Sequence, residues 1–312
     1  MNIRKAFFLL IFVGILSSCG GGGSDSKDNT VKTGTVDARI ADAPVDGAQS
    51  VMIHFTEVTL HGPGGNTVVS ITDPITGTPG RTIDLLKFQS GQWSGFFNQT
   101  VTAGNYSWIR LDLDLSKSYI QINGAQYALA CTSCTNNGFK LNRSFVVPAD
   151  GTLTLMLDFD LRKSITLPNT GSLIYKLRPT VRIVEANISG NVTGSVDPTL
   201  ISSLGGFTGC SVYAYTGLNA QLDDVYIPFT GSMPAGQNNP VATAPVVSGN
   251  NYNYNVAYLP GGDYTLAVTC DAENDQADSD DALNFSAPIN TQVTAGQTTT
   301  VDFPAPAPPP AP

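Results

Sequence analysis

The chain has 312 residues, 41% apolar and only 13% charged, with a net charge of −9 at neutral pH. So few charges with so much apolar content exclude a disordered polyelectrolyte, and the acidic sign excludes a nucleic-acid partner, which needs clustered Lys and Arg. Gly, Thr, Ser, Asn and Pro are plentiful and helical periodicity is nearly absent, an all-β composition long enough for two domains.

Arg4 and Lys5 precede an apolar run from Ala6 to Leu16, broken only by Gly14, and Ser17, Ser18 and Cys19 follow. A basic start, a short apolar segment and a small-residue exit predict a secretory signal peptide over residues 1–18. The run is shorter than the roughly 20 apolar residues a bilayer crossing requires. Leu16-Ser17-Ser18-Cys19 resembles the lipobox of bacterial lipoproteins. The resemblance implies cleavage before Cys19, acylation of its thiol with chains such as palmitate and, with Gly20 next, the outer membrane as destination. An ordinary signal peptide with a chance cysteine is the alternative. More than one acyl chain would anchor stably without a transmembrane helix. Residues 19–33, rich in Gly and Ser, predict a flexible tether.

The first domain is expected over residues 34–186. Residues 35–40 alternate and predict a strand, and Ala41 to Gly47 predicts a turn around Pro44. Val51, Ile53 and Phe55 alternate with polar neighbours, and Val58 and Leu60 keep that register only if a bulge follows Phe55. Residues 82–86 suit a strand or a helical turn. Ile109, Leu111, Leu113 and Leu115 alternate strictly, as do Leu153, Leu155, Leu157, Phe159 and Leu161. Strict alternation predicts one buried and one solvated face, as in a sandwich. Residues 173–184 predict the last strand, with Pro179 at an edge or bulge.

The succession DAPVDGAQSVMIHFTEVTLHG, IDLLKF, AGNYSWIRLDLD, GTLTLMLDFDLRKSI and YKLRPTVRIV resembles a bacterial extracytoplasmic family, the domain of unknown function 4382. That resemblance implies a β-rich fold in a secreted or lipoprotein context and transfers no catalytic residue.

The second domain is expected over residues 187–303. ISGNVTG from Ile188, LPGGDYTL from Leu259 and VTAGQTTTVDF from Val293 resemble the transthyretin-like, or carboxypeptidase-regulatory-like, β-sandwich. This resemblance implies an accessory or stalk module. Residues 304–312 consist only of Pro and Ala and predict a polyproline II tail.

Four cysteines remain after Cys19, an even number suited to an oxidising compartment. Cys131 and Cys134 predict a local disulfide, and Cys210 and Cys270 one that closes a loop of about 60 residues. His54 and His61 flank Glu57 at a spacing unlike a helical zinc motif, and they read as surface or edge residues. Asp112, Asp114, Asp158 and Asp160 read as solvated strand faces answered by Arg110, Arg162 and Lys163. Asp271, Glu273, Asp275, Asp278 and Asp280 form a dense acidic run. It lacks the Gly and terminal Glu of an EF-hand, which leaves a looser calcium loop or a solvated acidic loop. Trp93 and Trp108 are candidates for a sugar-stacking platform or for core anchors.

No catalytic motif is present. The sequence therefore predicts an all-β protein of two antiparallel β-sandwich domains in tandem, lipid-anchored in the cell envelope, non-catalytic and without an obligate cofactor. Its expected partners are the membrane and a glycan or envelope protein. A calcium-dependent carbohydrate- or protein-binding module and a carboxylate-pair hydrolase are the alternatives.

Overall fold

Strand Thr33–Ala43 pairs antiparallel with Ser94–Thr102 and parallel with Thr152–Asp160, whose other neighbour is Val181–Glu185. A larger sheet forms around Ser50–Gly62, which pairs with Gly65–Ser70, Arg81–Asp84, Trp108–Leu113 and Tyr119–Ile122. Phe55 of the larger sheet meets Phe96 and Phe159 of the smaller edge-on, with ring centroids 5.0 and 5.8 Å apart. One apolar core thus fills the space between the two sheets. The computed structural model describes residues 31–43, 47–134, 138–166, 173–207, 209–228, 232–249 and 251–307. The expected signal peptide, Cys19, nearly all of the tether and the end of the Pro-rich tail lie outside them. The described residues from Lys32 onward form one compact unit containing two large apolar cores.

The bulge expected after Phe55 is present as a register shift between Phe55 and Glu57. It keeps Val51, Ile53, Phe55, Val58 and Leu60 all buried, and it puts His54 and His61 together on the opposite side of the strand. Residues 82–86 divide: Arg81–Asp84 is strand and Leu85–Phe88 a 3-10 turn. Two alternating runs end earlier than their pattern. Trp108–Leu113 gives way to a turn at Leu115–Lys117, where Asp114 accepts the Ser116 amide. Thr152–Asp160 gives way to a helical turn, Leu161–Ser164, where Asp160 accepts the Lys163 amide. In both, a capping carboxylate at the strand end competes with the ladder. The single last strand becomes two, Ile174–Leu177 and Val181–Glu185, in different sheets, with Pro179 between them.

The residues around the first core are called the first module and those around the second core the second module; the latter has a three-stranded sheet, ordered Asn253–Pro260, Ser189–Ser195, Thr298–Thr300. Against it lies a four-stranded sheet, ordered Ala242–Pro245, Ser211–Thr216, Gly262–Thr269, Ile289–Val293. Gly194 is needed where the last strand approaches: a Cβ there would lie 1.7 Å from the Val301 carbonyl oxygen. The sheets are mixed rather than purely antiparallel, since three pairings run parallel. A short helix, Pro198–Ser203, was not expected, although Asp197 as N-cap and Pro198 in the first turn signal it.

Both expected disulfides are formed, Cys131–Cys134 and Cys210–Cys270. Cys210 directly precedes Ser211 and Cys270 directly follows Thr269, and those two residues are register partners. The long-range bridge therefore ties neighbouring strands of one sheet rather than two sheets.

Candidate functional site

Strand Ser211–Thr216 is buried on both faces. One face enters the sandwich core. The other, carrying Tyr213 and Tyr215, is covered by the loops that follow this strand and Gly262–Thr269, with Val225, Ala272, Ala277 and Phe285 packed on the rings. The two buried phenols need partners, and the loops supply them. Tyr213 donates to Asp275 Oδ2 at 2.5 Å, and Tyr215 donates to the Asp223 carbonyl.

This layer gathers carboxylates. Ligand oxygens of Asp224, Asp275 and Asp281 lie within 4.8 Å of one another, as do those of Asp223, Asp224 and Asp280. Asp224 and Asp275 are only 1% and 5% exposed. Backbone amides hold them: Val225 donates to Asp275 at 3.1 Å, Asp281 to Asp224 at 2.5 Å and Gln276 to Asp281 at 2.8 Å. Burial pushes the Asp275 carboxyl up to about 6, against the pull of Arg162 and the Tyr213 hydrogen bond. Burial also raises Asp224.

Of the five residues expected to form a calcium loop, Asp275 and Asp280 join this cluster. Asp271 instead accepts the Asn284 amide at 3.1 Å, and Glu273 and Asp278 are exposed. Asp223 and Asp224 were missed because they lie about 50 residues upstream. The Asp-Asp pair within a polar loop was the available signal.

The second notable region is the joint between modules. Asp158 and Asp160 were expected on a solvated face, but they are 5% and 2% exposed because the second module covers that face. They do not meet Asp112, which lies on the other sheet, or Asp114, which caps the turn after that strand. Arg182 pairs with Asp158, and Lys163 with Asp160 at 2.8 Å. The cations then reach main-chain carbonyls of the second module: Lys163 to Pro240 at 2.6 Å, Arg178 to Ile227 at 3.0 Å, Arg162 to Ala272. In return Asn255 and Tyr258 donate to the Ser90 and Gly91 carbonyls at 2.8 and 2.7 Å. Arg162 also touches Ser211 Oγ at 3.3 Å and lies 5.7 Å from the Tyr213 ring centre, so it borders the acidic layer as well. Fixed planar donors facing fixed carbonyls make a geometrically specific contact.

Trp93 and Trp108 are separate. The Trp93 ring lies under the Arg39 guanidinium at 4.0 Å, beside the Ser90–Gly91 turn that meets the second module. Trp108 stacks on His61 with ring centroids 4.8 Å apart, and the Lys140 ammonium lies 4.5 Å from its ring centre. His54 is buried, with Nδ1 2.7 Å from Thr82 Oγ1. Burial, with help from Lys117, holds its pKa below the usual histidine range.

The comparisons add the following. No curated protein matches the chain. Among solved structures, the chain is similar to the Bacillus anthracis TIE protein (10% identity, TM-score 0.21), covering 87% of itself and 34% of that protein, about a third of its length. It is similar to GBS52, the minor pilin of Streptococcus agalactiae (10% identity, TM-score 0.21), covering 89% of itself and 100% of the pilin. It is also similar to the major pilin subunit BcpA of Bacillus cereus (11% identity, TM-score 0.20), covering 87% of itself and 70% of that chain. The sequence match is more definite: residues 33–179, the greater part of the first module, match the family described as "Domain of unknown function (DUF4382)".

Proposed function

We propose that the protein is an extracytoplasmic lipoprotein, anchored through Cys19 in the outer membrane, whose two β-modules bind an envelope component and catalyse nothing. The observation that carries this reading is the pair of disulfides, which closes every cysteine after Cys19 and suits an oxidising compartment. No helix among the described residues is long and apolar enough to cross a membrane. Of the grouped carboxylates, Asp224 and Asp275 are buried under the loops and inaccessible to a glycoside, which disfavours the carboxylate-pair hydrolase. Residues 187–303 act as the transthyretin-like accessory module, braced against the first by the Arg and Lys contacts of the joint. Mass spectrometry of the mature chain is expected to show an N-terminus at Cys19 carrying acyl groups, and Cys19→Ser is expected to release the protein from the membrane fraction. A chain that starts elsewhere, or starts at Cys19 without lipid, overturns the anchor.

A second reading, calcium dependence, is favoured by the convergence of Asp224, Asp275 and Asp281 from two loops. Many oxygens on loops suit calcium. Burial pushes the folded pKa of Asp275 up to about 6, above its ordinary value of 3.8, so its contribution to stability is full below about pH 4 and is lost as pH rises through about 6. In chelator at pH 7, Asp275→Asn is therefore expected to raise unfolding free energy by about 1–3 kcal/mol. Calcium is expected to raise the Tm of the parent protein and not of the variant. A parent Tm that calcium leaves unchanged removes the calcium reading.

A further inference from the structure

A cleft of about 620 Å3 opens at one end of the three-stranded sheet of the second module, where Ser195 pairs with Asn253 and Val196 with Phe303. Val196 and Phe303 are buried and give it an apolar floor. Main-chain bonds tie its sides together: Val196 donates to the Tyr252 carbonyl at 3.1 Å, and Asp197 donates to that of Phe303 at 2.9 Å. Tyr252 lines one side. Phe207, 39% exposed, stands against it with ring centroids 5.5 Å apart and ring planes tilted by 46°. Asn251 and Tyr252 have φ of 54° and 52°, a left-handed conformation that is strained for a bulky residue and recurs at binding sites. Two carboxylates also line the cleft. Asp302 accepts the Ser195 amide and hydroxyl through Oδ1 at 2.8 and 2.9 Å, and Asp197 accepts the Thr199 amide through Oδ1 at 2.7 Å. Both side chains are thereby fixed, and each keeps a second oxygen for a ligand.

We propose that this cleft binds a single chain of neutral hexopyranose units, with Tyr252 and Phe207 stacking on sugar C–H faces and Asp197, Asn251 and Asp302 bonding the hydroxyls. The proposal rests on the reading of the modules as binders of an envelope component and names the class of that component. An aromatic face carries negative charge density and attracts the weakly positive C–H groups of a sugar ring. Carboxylates accept hydroxyl protons, and an amide side chain both donates and accepts. Two fixed carboxylates, in a chain of net charge −9, repel a phosphate or an acidic glycan, so the ligand is uncharged. Rings tilted by 46° share no plane, so they fit a twisting single chain and not a flat crystalline surface. The volume falls in the range of about 300–1,000 Å3 usual for small-ligand sites. The cleft is separate from the acidic layer and independent of the calcium reading.

The test is isothermal titration of the full chain with maltohexaose, cellohexaose and mannohexaose, with EGTA throughout. At least one of the three is expected to bind. Tyr252→Ala is expected to weaken that binding about tenfold, the size of one good aromatic contact. Phe207→Ala is expected to weaken it severalfold, and Tyr252→Trp to keep it. No binding of any hexasaccharide overturns the site and leaves the anchor at Cys19, which the mature N-terminus decides, untouched. Binding that both alanine variants leave unchanged also overturns the site, since the sugar then sits elsewhere, while the reading of the modules as binders stands. Should Tyr252→Ala fail to fold, Phe207→Ala decides, because that exposed ring lies outside the apolar cores.

Discussion

Arg182→Ala is expected to lower the unfolding free energy by about 3–5 kcal/mol, the usual loss when one partner of a buried pair is removed. Arg182 connects two modules. Its guanidinium pairs with Asp158, whose side chain is 7% exposed, and also reaches the Ala257 and Tyr258 carbonyls. Burial already pushes the Asp158 carboxyl upward, and Arg182 is the main group pulling it back. Without Arg182 the folded-state pKa rises further above the unfolded value. The carboxyl then contributes most at low pH and loses that contribution as pH rises through its new value. The loss in Arg182→Ala is therefore expected to be larger at pH 8 than at pH 5. Asp158→Asn in the same chain removes the buried charge and is expected to return most of the loss at pH 8. Denaturant unfolding of the single and double variants at both pH values is the measurement. A single variant as stable as the parent at pH 8 refutes the account of the joint.

The second large effect is expected from the long-range disulfide. Cys210→Ser with Cys270→Ser opens a loop with a sequence separation of 60. The chain-entropy model gives about 4 kcal/mol for such a loop and about 2 kcal/mol for one of four residues. Cys131→Ser with Cys134→Ser is thus expected to cost about half as much. Equilibrium unfolding of the two double variants tests the ranking, and equal losses contradict it.

Much of the β-architecture was legible. Strict alternation marks which residues of a strand enter the core, and the phase slip after Phe55 was visible as a bulge before any pairing was known. The strand ends were less legible. Asp114 and Asp160 fit the alternating pattern, yet each caps a turn, because a short carboxylate at a strand end can bond local amides. Asp271, Glu273 and Asp278 were attractive as ligands from their density alone, yet they are not among the clustered carboxylates. Asp223 and Asp224 were overlooked for the opposite reason, being few and distant in sequence.

By itself the sequence determined the alternating strands, the even set of cysteines after Cys19 and the motif order by which the first part of the chain resembles a family whose model matches residues 33–179. These are local properties, set by side-chain period and residue chemistry. Only the tertiary structure decided that the polar face of Thr152–Asp160 is buried and that Asp158 takes Arg182 as its partner. It likewise brought Asp224 beside Asp275 and Asp281. The reason is physical: alternation reports that a strand has two unlike faces, while what covers the second face depends on a module folded from residues far along the chain.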